Sequence, residues 1–483
     1  MRRRTFPQLS AVPGEYAAEW YVDDRVIPGQ LTVEAGKPPM LDMFGDFEPQ
    51  DWSGGGSFPI DYESPRLMGR LRSGHDVVLT DVHLSTWWMG RTWGSARHAV
   101  VRLDIGSVHV DHYSRVRFQV TQLDRLYGIA PIKAVTWPSA AAPFMAGSFS
   151  VTANPAADMS WNDDSGSVTV TCTYDIQSSG TNLHKHEVLF APVVSLESET
   201  PMSLDEWMDR WIRPFVALSI FATRTSQRIC WMTVESVRQK VGAGRDNKVH
   251  GVVFGGGVIQ EPYAADYQSE WRLPENRPLF TLAGSPVSLP VLIRRWAGLE
   301  ANDNPFIELY GQSIRRSDLP GRARFLYLIQ ALEALHSFEN QQVDIERQEK
   351  FSVKRQRALQ LLNESGLDAA TVRFVKKTWP NRRQPSLDER LRALLAELPD
   401  QVIDGLNGLA VGSIADQLDA DGENTLEGQL RRLRNDLSHG SEHYSAMELG
   451  PWVEIANVVC RGHALRLLGF SADDISRSLA LVS

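Results

Sequence analysis

The residues best suited to chemistry lie together near the end of the 483-residue chain. The stretch from Arg431 to Gly440 reads RRLRNDLSHG and predicts a cationic helix that ends at His439. Gly440 suits the left-handed conformation that follows many helices, and His439 would then lie at the negative end of the helix dipole, which favours its protonated form. The planar guanidinium of Arg434 can bind a phosphate through two parallel hydrogen bonds. These residue types suit proton transfer next to a bound phosphate.

The spacing of Arg434 and His439 limits how they could act together. At about 100° per residue, positions five apart diverge by about 140° around a helix. One straight helix therefore does not bring both side chains to one face, so we expect either a bent helix end or two copies facing each other. The alternative interpretation is a set of surface arginines and a histidine that caps its helix.

Patterns for metal or nucleotide chemistry are weaker. Cys172, Cys230 and Cys460 are widely spaced and form no CxxC or CxxH cluster, so the sequence predicts neither a zinc site nor a disulfide framework. The glycine runs at 54–56 and 255–257 lack the lysine of a phosphate loop and are predicted to be turns. We therefore expect no metal and no cofactor.

Composition and charge exclude several broad classes of protein. Apolar residues make up 42% of the chain and charged residues 23%, as in ordinary globular proteins, and the net charge of −9 argues against a general basic coat for nucleic acid. The arginines at positions 2–4 are not followed by an apolar segment, so no signal peptide is predicted. No stretch approaches about eighteen uncharged apolar residues, so we expect no membrane span and a cytoplasmic protein.

The elements that would position the candidate site change in kind near residue 300. Twelve of the 14 tryptophans and 20 of the 26 prolines precede it, whereas the later sequence is rich in Leu, Arg, Glu and Ala with helical periodicity. We therefore predict an α+β multidomain protein with domains at 1–300 and 301–483. The first is predicted to be a strand-rich antiparallel sandwich or barrel-like fold, which could contain two subdomains, and the second an all-α bundle of five to seven helices.

Strand signals in the first part are β-branched or alternating segments with turn residues around them. They predict strands at 77–84, 98–105, 167–174, 229–234 and 249–254. A helix is predicted from the capping box of Ser203 and Glu206 to about residue 223, with a kink at Pro214.

In the second part, a helix from about residue 318 has a predicted core face, because apolar residues recur every three or four positions. They are Phe325, Leu328, Leu332, Leu335 and Phe338. Ser386 and Glu389 form a second capping box. Further helices are predicted at about 343–364, 367–379, 386–397, 400–410, 425–439 and 445–468.

The arrangement Arg-Asn-x-x-x-His at Arg434, Asn435 and His439 resembles the signature of HEPN-domain ribonucleases. The helix predicted at 324–336 resembles the first helix of the Apea-like branch of that family. The strand-rich half resembles the ApeA-type domain that precedes it there, notably at 28–32. The resemblance therefore extends over nearly the whole chain, although its sharp motif is only six residues long.

This resemblance implies a metal-independent endoribonuclease that acts as a homodimer with its two motif helices juxtaposed. It also implies a part in bacterial anti-phage defence by abortive infection, with transfer RNA as the target and a phage-derived trigger. The reaction would use the adjacent 2′-hydroxyl of RNA as the nucleophile and give a 2′,3′-cyclic phosphate.

In that reaction we assign His439 to proton transfer, Arg434 to the charged phosphoryl oxygens, and Asn435 to positioning by hydrogen bonds. Glu333 is a fourth catalytic candidate, since it could hold the Arg434 guanidinium from a facing helix. The alternative for Glu333 is an ordinary solvated glutamate.

A basic region between residues 345 and 395 supplies a candidate RNA footprint, with twelve Lys and Arg against six Asp and Glu. Phe374 and Trp379 within it could stack on unpaired bases. A charged run can also be only a solvated surface. The candidate RNA-binding residues are Lys376, Lys377, Arg382, Arg383, Arg431 and Arg432.

Two other functions remain open on the sequence. The helical part could be a non-catalytic module for RNA binding or dimerisation, paired with a ligand-sensing first domain. Alternatively, the strand-rich part could itself bind a small ligand or carbohydrate on its tryptophans, although core packing explains most of them more simply.

Overall fold

A computed structural model describes most of the chain, which divides into two compact units at residues 1–297 and 298–483. The described residues are 13–22, 24–45, 60–87, 91–105, 111–136, 150–182, 185–237, 248–260, 278–316, 319–379, 385–410, 425–440 and 442–480. The first unit is strand-rich and the second is helical, so the predicted fold class is confirmed. Among the described residues, no helix has the length and apolar character that crossing a membrane requires.

The first unit is built mainly from antiparallel strands. They are β1 Gly14–Val22, β2 Arg25–Val33, β3 Met40–Phe44, β4 Ile60–Leu71, β5 His75–Trp87, β6 Arg91–Ile105, β7 His112–Val120, β8 Ile132–Thr136, β9 Ser150–Ala153, β10 Met159–Asn162, β11 Val168–Asn182, β12 Lys185–Ser203, β13 Ile229–Val237 and β14 Lys248–Gly255. Each of the five predicted strand segments overlaps one of them.

Six of these strands close into a ring, which confirms the barrel-like prediction. Their order is β6-β3-β2-β1-β4-β5, and the ring closes because β5 also pairs with β6. The other edge of β6 serves two neighbours, since residues 91–95 pair with β3 and residues 98–102 pair with β14. From β14 the same sheet continues through β13, β7, β12 and β11 to β10.

Trp20 fills the interior of the ring, together with other fully buried side chains such as Leu31 and Met43. Two glycines give the indole its space. A Cβ at Gly29 would lie 2.9 Å from Trp20 Nε1, and a Cβ at Gly69 would lie 2.6 Å from Trp20 Cε3. The ring is therefore a packed core.

The helices of the first unit are α1 Leu123–Tyr127, α2 Leu204–Trp207, α3 Arg213–Thr223 and α4 Leu289–Ala301, and α4 contains the unit boundary. The capping box of Ser203 and Glu206 is present as predicted. A π-helical turn at Met208–Ile212 directly precedes α3, next to the position where the sequence predicts a kink. Pro214 then lies at the junction of the π-helical turn and α3, where its missing N–H interrupts the hydrogen-bond ladder of the continuous helix.

The second unit contains nine helices among its described residues, where the sequence predicts five to seven. They are α5 Pro305–Arg315, α6 Gly321–Glu339, α7 Gln341–Glu364, α8 Ala369–Thr378, α9 Leu387–Leu395, α10 Asp400–Ala410, α11 Leu426–His439, α12 Ala446–Leu467 and α13 Ala472–Ala480. The two additional helices are α5 and α13. Asn304 caps α5 and Pro305 begins it, a helix-start pattern at which the sequence prediction places no helix.

The predicted core face of α6 is correct at four positions and wrong at Phe338, which is 39% exposed. Each three-residue step turns a side chain about 60° short of a full rotation, so the repeated steps to Leu335 and then Phe338 carry Phe338 away from the buried stripe. The capping box of Ser386 and Glu389 is confirmed at the start of α9.

Candidate functional site

Helix α11 carries the candidate motif and is fixed along one apolar stripe. Thr425 accepts a hydrogen bond from the N–H of Gly428 and so caps the start of the helix. The stripe points into the bundle, because its residues recur at spacings of four, three and four. It consists of the buried side chains Leu426, Leu430, Leu433 and Leu437. The motif is therefore presented on a packed element.

The end of α11 is a regular α-helical turn. The N–H of Gly440 donates to the carbonyl of Asp436 at 2.8 Å, and Gly440 has the left-handed φ of 69° that the sequence predicts. The helix thus continues without a break to His439, which is exposed to solvent. A bent helix end does not bring Arg434 and His439 together within one chain.

The motif residues divide between two sides of α11. Relative to the centre of the leucine stripe, Asn435 and His439 lie about 180° and 220° away, on the solvent side, together with Arg432. Arg434 lies about 80° away, at the flank of the buried stripe. The outward face of α11 therefore presents the imidazole and the amide, while the guanidinium is directed toward α6.

The guanidinium of Arg434 is held by two neighbours. Its Nη2 lies 3.5 Å from Oε1 of Glu333 on α6, and its Nη1 donates to Oδ1 of Asn435 at 3.3 Å. The side chains of Arg434 and Glu333 are 34% and 24% exposed, so the pair is partly shielded yet accessible. The structure thus brings Glu333, Arg434 and Asn435 together, and it leaves His439 apart from them at the helix end.

Two further residues position the end of α11, and neither follows from the motif. Arg322 of α6 donates to the carbonyl of Leu437, one of the last four carbonyls of the helix. The hydroxyl of Tyr444 donates to Oδ2 of Asp436 at 2.8 Å and ties the following segment back to the helix. Burial, together with this hydrogen bond, raises the pKa of Tyr444. Both contacts link residues far apart in the sequence or across a loop, so no local pattern predicts them.

The predicted RNA-binding residues lie in different settings. Arg431 is paired through Nε with Asp388 of α9 at 2.9 Å, and Arg432 is half-buried on α11. Lys376 and Lys377 are exposed in the last turn of α8. The other two predicted residues, Arg382 and Arg383, lie outside the described residues.

Two other histidines of the unit, His336 and His463, are less suited to proton transfer with a substrate. His336 and His463 are buried, and burial lowers the pKa of each, that of His463 to about 3. Nε2 of His463 lies 3.1 Å from the carbonyl of Leu394, so it contacts the core of the bundle. In the described part of the chain, no three His, Cys, Asp or Glu side chains come together as a metal site would require.

Comparison with protein families gives two matches. Residues 15–255 are similar to the family described as ApeA N-terminal domain 1, and residues 326–474 are similar to the Apea-like HEPN family. The second match contains all of α11 and most of α6, the two helices that hold the candidate site. Neither a curated protein nor a solved structure matches the chain.

Proposed function

This chain belongs to the Apea-like HEPN family, whose members are anti-phage defence proteins, and from that premise we propose that it is an endoribonuclease. In this proposal the protein cleaves transfer RNA in the cytoplasm, and the cleavage leads to abortive infection. The supporting observation is the guanidinium of Arg434 held 3.5 Å from Glu333, on the helix that ends at the exposed His439.

The proposed reaction needs no group beyond those on RNA and on the protein. The 2′-hydroxyl oxygen attacks the adjacent phosphorus and loses its proton, while the bond to the 5′-oxygen breaks and that oxygen gains a proton. The products are a 2′,3′-cyclic phosphate and a 5′-hydroxyl. His439 would move one of these protons, and Arg434 would stabilise the extra negative charge on the phosphoryl oxygens.

The remaining groups would hold these two in place. Asn435 shares the outward face of α11 with His439 and also accepts a hydrogen bond from Arg434, so it links the two sides of the helix. Glu333 fixes the guanidinium from α6. An arginine held by a carboxylate and an amide loses less conformational freedom when it binds a phosphate.

A homodimer is part of the proposal, because α11 remains straight to His439 while Arg434 points to its flank. Two antiparallel copies of α11, related by a two-fold axis, would place Arg434 of each copy toward His439 of the other. HEPN domains commonly dimerise and bind RNA, which supports this arrangement. The first unit would then respond to an infection signal of phage origin.

The test is cleavage of a labelled transfer-RNA transcript in EDTA by the full chain, with Arg434→Ala and His439→Ala as variants. We expect cleavage by the wild type and a loss of about 10²–10⁴-fold for His439→Ala, since general acid–base catalysis contributes that much. The products of the wild type should end in a cyclic phosphate. If the wild type cuts and both variants cut equally well, the activity belongs to another site.

The second candidate function is a non-catalytic module that binds RNA or dimerises, with a ligand-sensing first unit. The observation that favours it is that the described structure of one chain keeps His439 away from the Arg434 cluster. A folded wild-type protein that binds the transcript and never cuts it would support this second function.

A further inference from the structure

Helices α7 and α8 form an arm that contributes nothing to the core of the second unit. Neither α7, with 24 residues, nor α8, with 10, contains a buried residue. An isolated helix is marginal in water unless one face packs, so 34 helical residues without a buried side chain are unusual in a globular unit. The surface of this arm therefore needs an explanation other than folding.

The exposed face of α7 carries a continuous row of positive charge. Its members follow spacings of three, four and three, which places them within about 80° of one another around the helix. All four are exposed, whereas the half-buried positions of α7 cluster on a different side. The row, termed here the cationic row, consists of Arg347, Lys350, Lys354 and Arg357.

Arg355 of α7 contacts the end of α8, which carries two more cations, Lys376 and Lys377. Its Nη2 lies 3.4 Å from the carbonyl oxygens of Lys376 and Trp379, at the end of α8. This contact fixes the last turn of α8 beside the middle of α7, where Lys354 lies. The last turn of α8, with the exposed Lys376 and Lys377, thus lies against α7 at the level of Lys354, although more than twenty residues separate them in the sequence.

The cations of the arm differ from those in the rest of the unit. In the described bundle outside the arm, six arginines are paired with carboxylates; for example, Arg392 pairs with Glu427 at 2.8 Å and Arg466 with Glu339 at 2.6 Å. In the arm, only Arg347 has such a partner, Asp344 at 3.2 Å. Among the described residues, Lys350, Lys354, Arg357, Lys376 and Lys377 have no carboxylate partner within 4.0 Å, so their charge is available to an anion.

Apolar side chains on the arm do not form a second helix-docking face. Val343, Ile345, Val353 and Leu361 are each about half or more exposed, but Ile345 and Val353 lie about 160° and 80° from Val343 around α7, and Leu361, on the same side as Val343, is about five turns away. A protein helix would need a continuous apolar stripe. On α8, Phe374 is 66% exposed and precedes Lys377 by one helical turn, an arrangement that suits an unpaired base beside a phosphate.

We propose that the cationic row, with Lys376 and Lys377, is a docking surface for the phosphate backbone of RNA, separate from the groups on α11 that would cut it. The inference rests on the proposed function for the identity of the polyanion. The arm would raise the affinity for long or folded RNA, and the cut would be made elsewhere. Because the arm would contact phosphates, its contacts would determine the affinity and its salt dependence more than any sequence preference.

The test is binding of a fluorescein-labelled transfer-RNA transcript by full-length protein that carries His439→Ala, measured by anisotropy over a salt titration. Triple reversal of Lys350, Lys354 and Arg357 to Glu should raise Kd about tenfold or more. Each lost phosphate contact lowers the slope of log affinity against log salt by roughly 0.7–0.9, so the slope should fall by about two.

Two control variants separate the row from general charge. The first control replaces three exposed cations of the first unit with Glu: Arg72, Lys133 and Arg228. It changes the net charge by the same amount as the arm reversal, and its Kd should stay within about twofold of that of the His439→Ala protein. The charge-preserving triple variant Lys350→Arg, Lys354→Arg and Arg357→Lys should retain the parent Kd and slope.

The outcomes distinguish this inference from the proposed function. If the arm and control reversals change Kd and slope by the same amount, the docking surface is refuted even when the wild type cleaves RNA. If the wild type never cleaves but the arm reversal alone abolishes binding, the docking surface stands and the nuclease proposal fails. Binding of only a protein partner to the arm, with unchanged RNA affinity, would also overturn the inference.

Discussion

Helices α11 and α7 of the second unit are both rich in cationic residues, yet the protein holds them in opposite ways. In α11 a stripe of four leucines is buried, and Arg431 and Arg434 have carboxylate partners on neighbouring helices. In α7 no residue is buried, and most of the cations have no carboxylate partner among the described residues.

The difference separates two uses of positive charge. A charge that stabilises a transition state must be fixed within a fraction of an ångström, which requires a packed helix and a paired guanidinium. A charge that only attracts a polyanion needs exposure and freedom more than a fixed position. The protein thus carries both kinds of cationic surface in one helical unit.

The largest expected effect tests this comparison through the stability of the two helices. Leu433→Ala on α11 should lower the free energy of opening that helix by about 2–5 kcal/mol, because a buried leucine is lost, while Val353→Ala on α7 should change stability by no more than about 0.5 kcal/mol. Native-state hydrogen exchange of the amides of each helix measures both. Equal effects would mean that α7 packs as α11 does.

The next effect concerns the shape of the cation on α11. Arg434→Lys keeps the charge but loses the planar fork that contacts Glu333 and Asn435, so we expect kcat for RNA cleavage to fall by about 10²-fold. Arg392→Lys on α9 is the matched control, and its kcat should remain near that of the wild type. If Arg434→Lys retained full activity, charge alone would suffice on α11, as on α7.

A smaller expected effect concerns how the stability of the helical bundle around α11 depends on pH. Burial and Arg466 hold the pKa of His463 at about 3 in the fold, against about 6.5 in an unfolded chain. Between these values only the unfolded chain binds the proton, so stability is complete above about pH 6.5 and is lost as the pH falls. From about pH 7.5 to about pH 5.5 the loss should be about 1.4 kcal/mol.

The measurement is the difference in unfolding free energy between the wild type and His463→Gln at the two pH values. Glutamine can still donate to the carbonyl of Leu394, but it does not titrate. His336 remains in both proteins and cancels in the difference. An identical pH dependence of the two proteins would show that His463 is not the source.

The smallest expected effect concerns the ion pair between Glu333 and Arg434. A double-mutant cycle with Glu333→Gln and Arg434→Lys should show a coupling of about 0.2–1 kcal/mol in the activation free energy, since both side chains are partly exposed. The readout is kcat/KM for RNA cleavage by the four proteins. Additive losses would mean that Glu333 does not position the guanidinium.

Much of the architecture could be predicted from local sequence patterns. The leucine spacing, the threonine cap and Gly440 place the bounds of α11 within one residue of the predicted helix, and the capping boxes locate α2 and α9. Such signals act within one or two turns, so a single sequence contains them in full. Helix α5 was not predicted, although Asn304 and Pro305 form a helix-start pattern.

The details of the candidate site were less predictable, because they depend on contacts between distant segments. The contact of Arg434 with Glu333 was one of two alternatives in the sequence, and the structure places the two side chains 3.5 Å apart. The contacts of Arg322 with Leu437, and of Arg355 with the end of α8, have no local signature at all. Charge counting found the basic region, but only the structure shows which of its cations form a row and which have carboxylate partners.

The central claim is that Arg434 of one chain acts with His439 of another, and mixing two inactive variants tests it most directly. Arg434→Ala and His439→Ala, co-expressed with different tags and purified as a mixture, should regain about a quarter of the wild-type RNA cleavage, because half of the dimers are mixed and each keeps one intact site of two. Each variant alone should remain inactive. Cleavage by the mixture that does not exceed that of the single variants would contradict the account.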